Sequence, residues 1–507
     1  MARRYPSARD RSVWRDWVLV AKRRLGPRAQ CSPLWSRCAI GHDVRMPCAF
    51  QIDDILGETL GCQFGVHERD LIEFDGKTWC RFHLPLQIGE TASEKTQWNV
   101  KRIDEFNEEV FERIDRARAA SQEADLSGVV FPAGVSFERY AKDALPEVSF
   151  RRARFGEKCS FDKITFAGHA SFEEATFAAS ARFSGASFSK LAKFDHVAFA
   201  GSAWFGAARF GGNARFLKAR FADKAYFYSA TFYSNAEFHK AVFQGDATFS
   251  DAIFRGAAYF RPTTFKGNAD FRGSSSRDGE APGSDAFPKL ATFHRSRFGG
   301  RAVFINRRFL DTTNFGEVVF EVAPEFHNAI LHQDTNFSGT QFRDRRGVRG
   351  VDAARAYRTL KLAMESVRAR DEEARFYAYE QQSLRNRKDT VRSIKLFSWL
   401  YEKTANYGQS FLRPLAWLLG TLGAFLLIYF AALTGPVITW ADFESVLRFG
   451  LQQVFYPFAS FRLHGSLAEA VGGVPLWLAF VAAAHSFLTI TFLALFLLAL
   501  RRRFKLD

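Results

Sequence analysis

Residues 170–194 read ASFEEATFAASARFSGASFSKLAKF, with Phe at 172, 177, 183, 188 and 194. The steps alternate between five and six, so the pattern repeats every eleven residues. Followed outward, the rhythm runs from Phe150 to Phe342 and makes thirty-six slots. Phe holds thirty-three of them; the exceptions are Ser276, Pro282 and Leu331. A small residue stands two positions before most Phe, as at Ala170, Ala175, Ala181, Ala186 and Ala192. A helix does not explain this, because five residues turn it by about 500° and scatter the rings around its axis. A flat strand fails as well: five and six differ in parity and would put Phe on both faces. A chain that bends after every five or six residues satisfies the pattern. Each Phe then points to a common axis, and the small residue two before it also faces inward.

Just ahead of this region, Asp125-Leu126-Ser127-Gly128 follows Ala124. That run, with the Phe-centred repeats, resembles the pentapeptide-repeat family, whose consensus is Ala-Asp/Asn-Leu-x-x. Phe replaces Leu after the first repeat, and the five/six alternation departs from strict fives, as in a Phe-rich branch. The resemblance implies a right-handed quadrilateral β-solenoid with four short sides and twenty-two residues per coil. About ten coils spaced by roughly 4.8 Å would make a rod of about 45–50 Å. Between Phe271 and Phe293 the Gly/Ser-rich stretch keeps phase over two undecads, so one coil is expected to be partly looped out. Such a loop is a place for recognition or a tolerated insertion. Cys159 falls on the small inward position and is expected in the core. The family includes soluble DNA mimics that bind topoisomerases through an acidic face. Residues 150–342 carry twenty-five Lys+Arg against eighteen Asp+Glu, the wrong sign for DNA mimicry.

The whole chain has 507 residues, 56 Phe and a formal charge of +16. That balance suits nucleic acid, anionic lipid or the cytoplasmic face of a membrane. Residues 1–45 hold ten Arg, one Lys and three Asp, hence eight of those charges. They read as a basic tail, as a lipid-surface helix over Asp10–Leu25, or as an over-extended start with Met46 as the alternative. No secretory signal is legible there. Five of the six Cys lie before position 81, which is no disulfide framework and suggests a reducing compartment. Residues 46–97 read as a small β-rich module with a turn at Asp75-Gly76. In it Cys48, Cys62, Cys80 and His83 offer four soft ligands for structural zinc, seeded by the closely spaced Cys80/His83 pair, with His67 nearby. The alternative is a set of buried thiols acting as compact hydrophobes. Residues 98–124 are expected as one amphipathic helix leading into the solenoid, which occupies 125–342.

After Phe342 the periodicity turns helical. A neck over 343–411 is expected as a helical hairpin with a joint near residue 370, then an interfacial helix over Ile394–Tyr407. Residues 412–507 form a transmembrane hairpin, with spans at Leu415–Leu433 and Val474–Leu500. Basic residues flank it on one side (Arg385, Arg387, Lys388, Arg392, Lys395 and Arg501–Arg503), whereas the connecting loop has Arg448 and Arg462. The positive-inside rule then places both termini and the rod in the cytoplasm, at a multi-pass inner membrane. The loop segment Asp442–Tyr456 is amphipathic and is expected to lie flat on the outer surface; the competing reading is the short helix of a two-span ion channel. His485, Ser486 and Thr489 sit inside the second span, where polar groups face another helix before they face a pore.

Two functions compete. One is a non-enzymatic scaffold whose solenoid surface binds a protein partner. The other is an oligomeric two-span channel or membrane-permeabilising effector gated by the rod. No Ser/His/Asp set, phosphate loop or informative carboxylate pair supports an enzyme. Apart from structural zinc, no cofactor is expected.

Overall fold

The computed structural model describes residues 48–53, 59–64, 71–274, 286–343, 350–387, 389–433, 440–455 and 476–504. The basic stretch 1–45, Met46, His67, Ser276, Pro282 and Arg462 lie outside them.

From Ala124 to Phe342 two-residue strands alternate with tight bends, and each strand pairs in parallel with its equivalent one coil away. The register advances by twenty-two residues, as in Ala170↔Ala192↔Ala214 on one side and Phe177↔Phe199↔Phe221 on the next. Four sides stack in this way into a β-solenoid of about nine turns. One side carries ten stacked strands, in line with the expected coil count, and nine steps of roughly 4.8 Å make the rod about 43 Å long.

Phe fills the axis. Phe205 lies 4.8 Å from Phe183 below and 4.8 Å from Phe227 above, with near-parallel rings, and meets Phe194 edge-on at 5.3 Å. Offset stacking within a column and edge-to-face contact between columns are the geometries the ring quadrupole favours. The residue two before Phe is buried as well, most often Ala, with Ile164, Val197, Thr263 and Val318 at the same position in other coils. The five/six alternation has a backbone cause. In a five-residue step the Phe carbonyl accepts from the N–H three residues on (Ala175 N→Phe172 O, 3.1 Å; Ala208 N→Phe205 O, 3.1 Å). The residue just before that donor is left-handed, as Glu174 (φ 59°) and Ala207 (φ 55°) are. The six-residue step closes no such turn and takes one residue more.

The insertion is smaller than the sequence suggested. Across it the register advances by thirty-three residues (Ala258↔Ala291, Phe265↔Phe298), one coil plus a single undecad. Phe271 and Phe293 therefore do not stack; they meet edge-on at 5.5 Å and 86°, like the in-coil pair Phe249 and Phe260 at 5.4 Å and 86°. Near the corner where the chain departs, Arg307 occupies the inward position two before Phe309. It is fully buried, donates to the carbonyls of Phe249 (3.1 Å) and Phe271, and lies over the Phe287 ring. A small residue there could not reach those carbonyls.

Exposed strand edges invite end-to-end association, and both ends of this rod are covered. Helix α1 (Val100–Ala119) lies across the first coil, with Phe106 against Phe131 and Phe111 against Phe137. It is shorter than expected because the first strand already begins at Ala124. At the other end α2 (Gly350–Ser366) and α3 (Arg370–Asn386) pair, jointed at left-handed Arg368. Phe376 packs edge-on to Phe337 and Phe342, both at 5.4 Å, and Arg375 donates to the Phe337 carbonyl at 3.0 Å. Buried Glu380 holds the pair together through Arg358 (2.7 Å) and Lys361 (3.3 Å). Helix α4 (Arg392–Ala405) then leads to α5 (Leu412–Leu433) and, after α6 (Trp440–Phe455), to α7 (Leu476–Phe504). Within α5 and α7, Leu412–Ala432 and Trp477–Arg501 are long and apolar enough to cross a membrane.

Candidate metal centre and membrane polar cluster

The hairpin Leu71–Phe74/Lys77–Cys80 turns at Asp75-Gly76, both left-handed, and delivers Cys80 at its end. A tight turn follows: the N–H groups of His83 and Leu84 both donate to the Cys80 carbonyl, at 3.1 and 2.9 Å. That turn brings His83 Nδ1 to 3.3 Å from Cys80 Sγ. Cys48 Sγ accepts from the Cys80 N–H and lies 3.6 Å from the same imidazole nitrogen, while Cys62 Sγ is 3.7 Å from Cys80 Sγ. All four ligand atoms fall within 4.8 Å of one another. The sequence thus named four residues that the fold gathers at one point, although no two of the three Cys are closely spaced.

The fit to a metal can be tested on these separations. Zinc–sulfur bonds of about 2.3 Å and zinc–nitrogen bonds of about 2.0–2.1 Å at tetrahedral angles put ligand atoms roughly 3.5–3.8 Å apart. The separations of 3.3, 3.6 and 3.7 Å match that spacing. The thiols also share their protons unequally. Hydrogen bonds from Cys62 and then Cys80 hold the Cys48 thiol far below its usual range, while Cys80, bonded to Cys48 and Cys62 and buried, is pushed up. Such a cluster is able to hold a divalent cation in place of its shared protons.

The outer nitrogen of His83 explains how the cluster reaches the rod. His83 Nε2 is 3.0 Å from the carbonyl of Ser127, in the first solenoid coil, which leaves Nδ1 as the nitrogen turned to the thiols. Phe50 stacks on the imidazole at 3.8 Å. Its ring also fills the space beside left-handed Gly128, where a Cβ would lie 2.0 Å from Phe50 Cζ, so only glycine fits. One residue before His83, the Phe82 carbonyl accepts from the edge-strand N–H of Val130 at 2.9 Å. Lys95, buried and reaching the carbonyls of Arg81 and Phe82, braces the same turn; burial holds its pKa well below the usual lysine range. Cys159 stays apart, buried in the solenoid core as expected, and burial pushes its thiol up.

Between the apolar helices the polar residues of the sequence reading meet partners. His485 is fully buried, stacked on Phe425 at 4.6 Å with Nδ1 3.1 Å from the Tyr429 hydroxyl. Ser486 donates to Gln453 of α6, at 3.3 Å from both its backbone and side-chain oxygens. Thr489 is buried beside them. Helix α6 therefore does not lie flat outside the hairpin. Val446, Gly450 and Gln453 turn its buried face onto α5 and α7, and Gly450 sits so close to Leu426 that a Cβ would approach Leu426 Cδ2 to 2.5 Å. The sequence sets Gln452 and Gln453 near His485 only in the channel reading; that α6 packs on α5 and α7 was not legible, and the Val446/Gly450/Gln453 spacing was the available signal.

Among known proteins, a family described as pentapeptide repeats (9 copies) matches residues 150–196, 183–231 and 227–275. No curated protein and no solved structure matches the chain. The matched segments coincide with the coils whose register advances by twenty-two residues on a Phe axis, so residues 150–275 of the rod are built of pentapeptide repeats.

Proposed function

We propose that the protein is a non-enzymatic scaffold, held at the inner face of a cytoplasmic membrane, whose rod binds a protein partner along its sides. The observation that carries this reading is a belt of outward aromatic residues halfway along the rod. Trp204 and Tyr226 stack at 4.0 Å on one side, and Tyr228 and Tyr233 are exposed on the following bends. Arg255 lies over Tyr233, and Arg261 over Tyr259 on the next side. Trp, Tyr and Arg are the side chains that most often carry protein–protein binding energy. Both rod ends are covered, which leaves the sides for binding.

Two further parts belong to the same reading. Zinc in the Cys48/Cys62/Cys80/His83 cluster is a structural lock that seats the Phe82 carbonyl on the first strand edge. The excess of basic residues before α5 and after α7 favours cytoplasmic termini and a multi-pass hairpin. In-cell cross-linking of the full-length protein at position 228, compared with the variant Trp204→Ser/Tyr226→Ser, tests the scaffold. A discrete partner cross-linked in the parent and lost in the variant, with unchanged membrane fractionation, is expected. Identical cross-links in both would remove the aromatic belt as the binding surface.

A further inference from the structure

Helix α6 carries two opposite faces. Val446, Gly450 and Gln453 are buried against the apolar helices, while Glu444, Ser445, Arg448 and Gln452 form a polar stripe on the other side. Glu444 and Arg448 pair one turn apart at 2.5 Å, with side chains 52 % and 79 % exposed. On a helix outside the bilayer such a stripe would simply face water.

The contacts of α6 place it elsewhere. Gly450 packs against Leu426 and Leu422, and Leu422 is the midpoint of the twenty-two-residue α5. Phe449 meets Tyr429 edge-on at 4.9 Å, and Gln453, a turn deeper, meets Ser486 of α7. If α5 spans the bilayer, Gly450 lies within about 5 Å of mid-depth, because its nearest contact, Leu426, is one turn beyond Leu422. At a rise of about 1.5 Å per residue, Arg448 is then at most about 3 Å and Glu444 at most about 9 Å further out. Both fall inside the hydrocarbon half-thickness of roughly 15 Å. Charged groups are not left facing lipid at that depth; they line water or face protein. Behind the stripe, His485 Nε2 and Thr489 Oγ1 are buried without a hydrogen-bond partner among the described residues. The interior of the hairpin thus has spare polar capacity as well.

We infer that copies of this chain assemble through the hairpin around a shared aqueous path, with the Glu444/Ser445/Arg448/Gln452 stripe of α6 lining it and small inorganic ions as the permeating species. The inference rests on the membrane reading of α5 and α7 and goes beyond the scaffold. A second copy is the occupant that suits the stripe, because paired opposite charges on one face complement themselves when the face is repeated around an axis.

The test uses the full-length protein in liposomes carrying a potassium chloride gradient. The parent should dissipate the gradient faster than empty vesicles. Glu444→Leu/Arg448→Leu, which lets the stripe accept lipid, should lower the flux by about tenfold or more while the protein stays resistant to alkaline carbonate. Ser445→Cys should form a disulfide between copies under oxidation that the parent does not. Inserted parent protein without flux, or a double variant that conducts like the parent, would overturn the pore. Absence of the Ser445→Cys cross-link would overturn the assembly. Extraction of the parent by carbonate would instead bring down the membrane reading itself, a separate and distinguishable failure.

Discussion

Replacing Phe205 by Ala tests the axial role of Phe most directly. Phe205 is fully buried, stacked at 4.8 Å on both sides and edge-on to Phe194 and Phe216 at 5.3 and 5.6 Å. Withdrawing a fully buried Phe from its apolar site costs about 2–3 kcal/mol of transfer free energy. The ring leaves a hole on the order of 80 Å³, and at about 24 cal/mol per Å³ the unfilled cavity adds roughly 2 kcal/mol. The neighbours cannot close it, because each ring is held in register by the parallel strands of its own column. The sum of about 4–5 kcal/mol lies at the upper end of Phe→Ala changes. Since each coil touches only its neighbours, the loss falls on two coil–coil interfaces in mid-rod and should split unfolding into two steps. Denaturant unfolding followed by pulse proteolysis of the full-length protein reads both effects. Arg209→Ala, at an exposed position four residues on, should stay within about 0.5 kcal/mol. Equal losses at Phe205 and Arg209 would refute an axis made of Phe.

Three further outcomes are expected. Ala207 is exposed and left-handed (φ 55°), so Ala207→Gly should stabilise the rod by about 1 kcal/mol, measured by the same unfolding series, even though Gly usually destabilises. Purified full-length protein should contain about one zinc per chain by elemental analysis, and Cys80→Ser or His83→Ala should abolish it; a metal-free, equally stable parent would reduce the cluster to packed thiols. His485→Leu removes the hydrogen bond to Tyr429, a loss of about 0.6 kcal/mol for such a bond in a membrane, and the protein should still insert, checked by carbonate extraction.

The solenoid was legible because its physics is local and repeated. A five/six alternation of Phe excludes helix and flat strand by arithmetic alone, and the residue two before each ring, most often Ala, marks the second inward position. The four residues of the candidate metal cluster were legible as residue types, with the Cys80/His83 pair as their seed. The apolar spans and the neck hairpin followed from composition and helical period.

What the sequence could not carry were relations between segments. An eleven-residue insertion and a twenty-two-residue one keep the same Phe phase, so only the pairing Ala258↔Ala291 decides how much of the coil leaves the wall. Arg307 looks like a surface residue until that corner gives it two carbonyls to serve. The ends of the rod are closed by contacts between residues far apart in the chain, such as Val130 with Phe82 and Phe337 with Phe376. The packing partner of α6 belongs to the same class. Its amphipathic period is equally good for a helix lying alone on a surface and one packed on its neighbours, and the difference lies in Gly450 finding Leu426 beside it. Periodicity fixes which face of an element is apolar; the identity of what covers that face comes from tertiary contact.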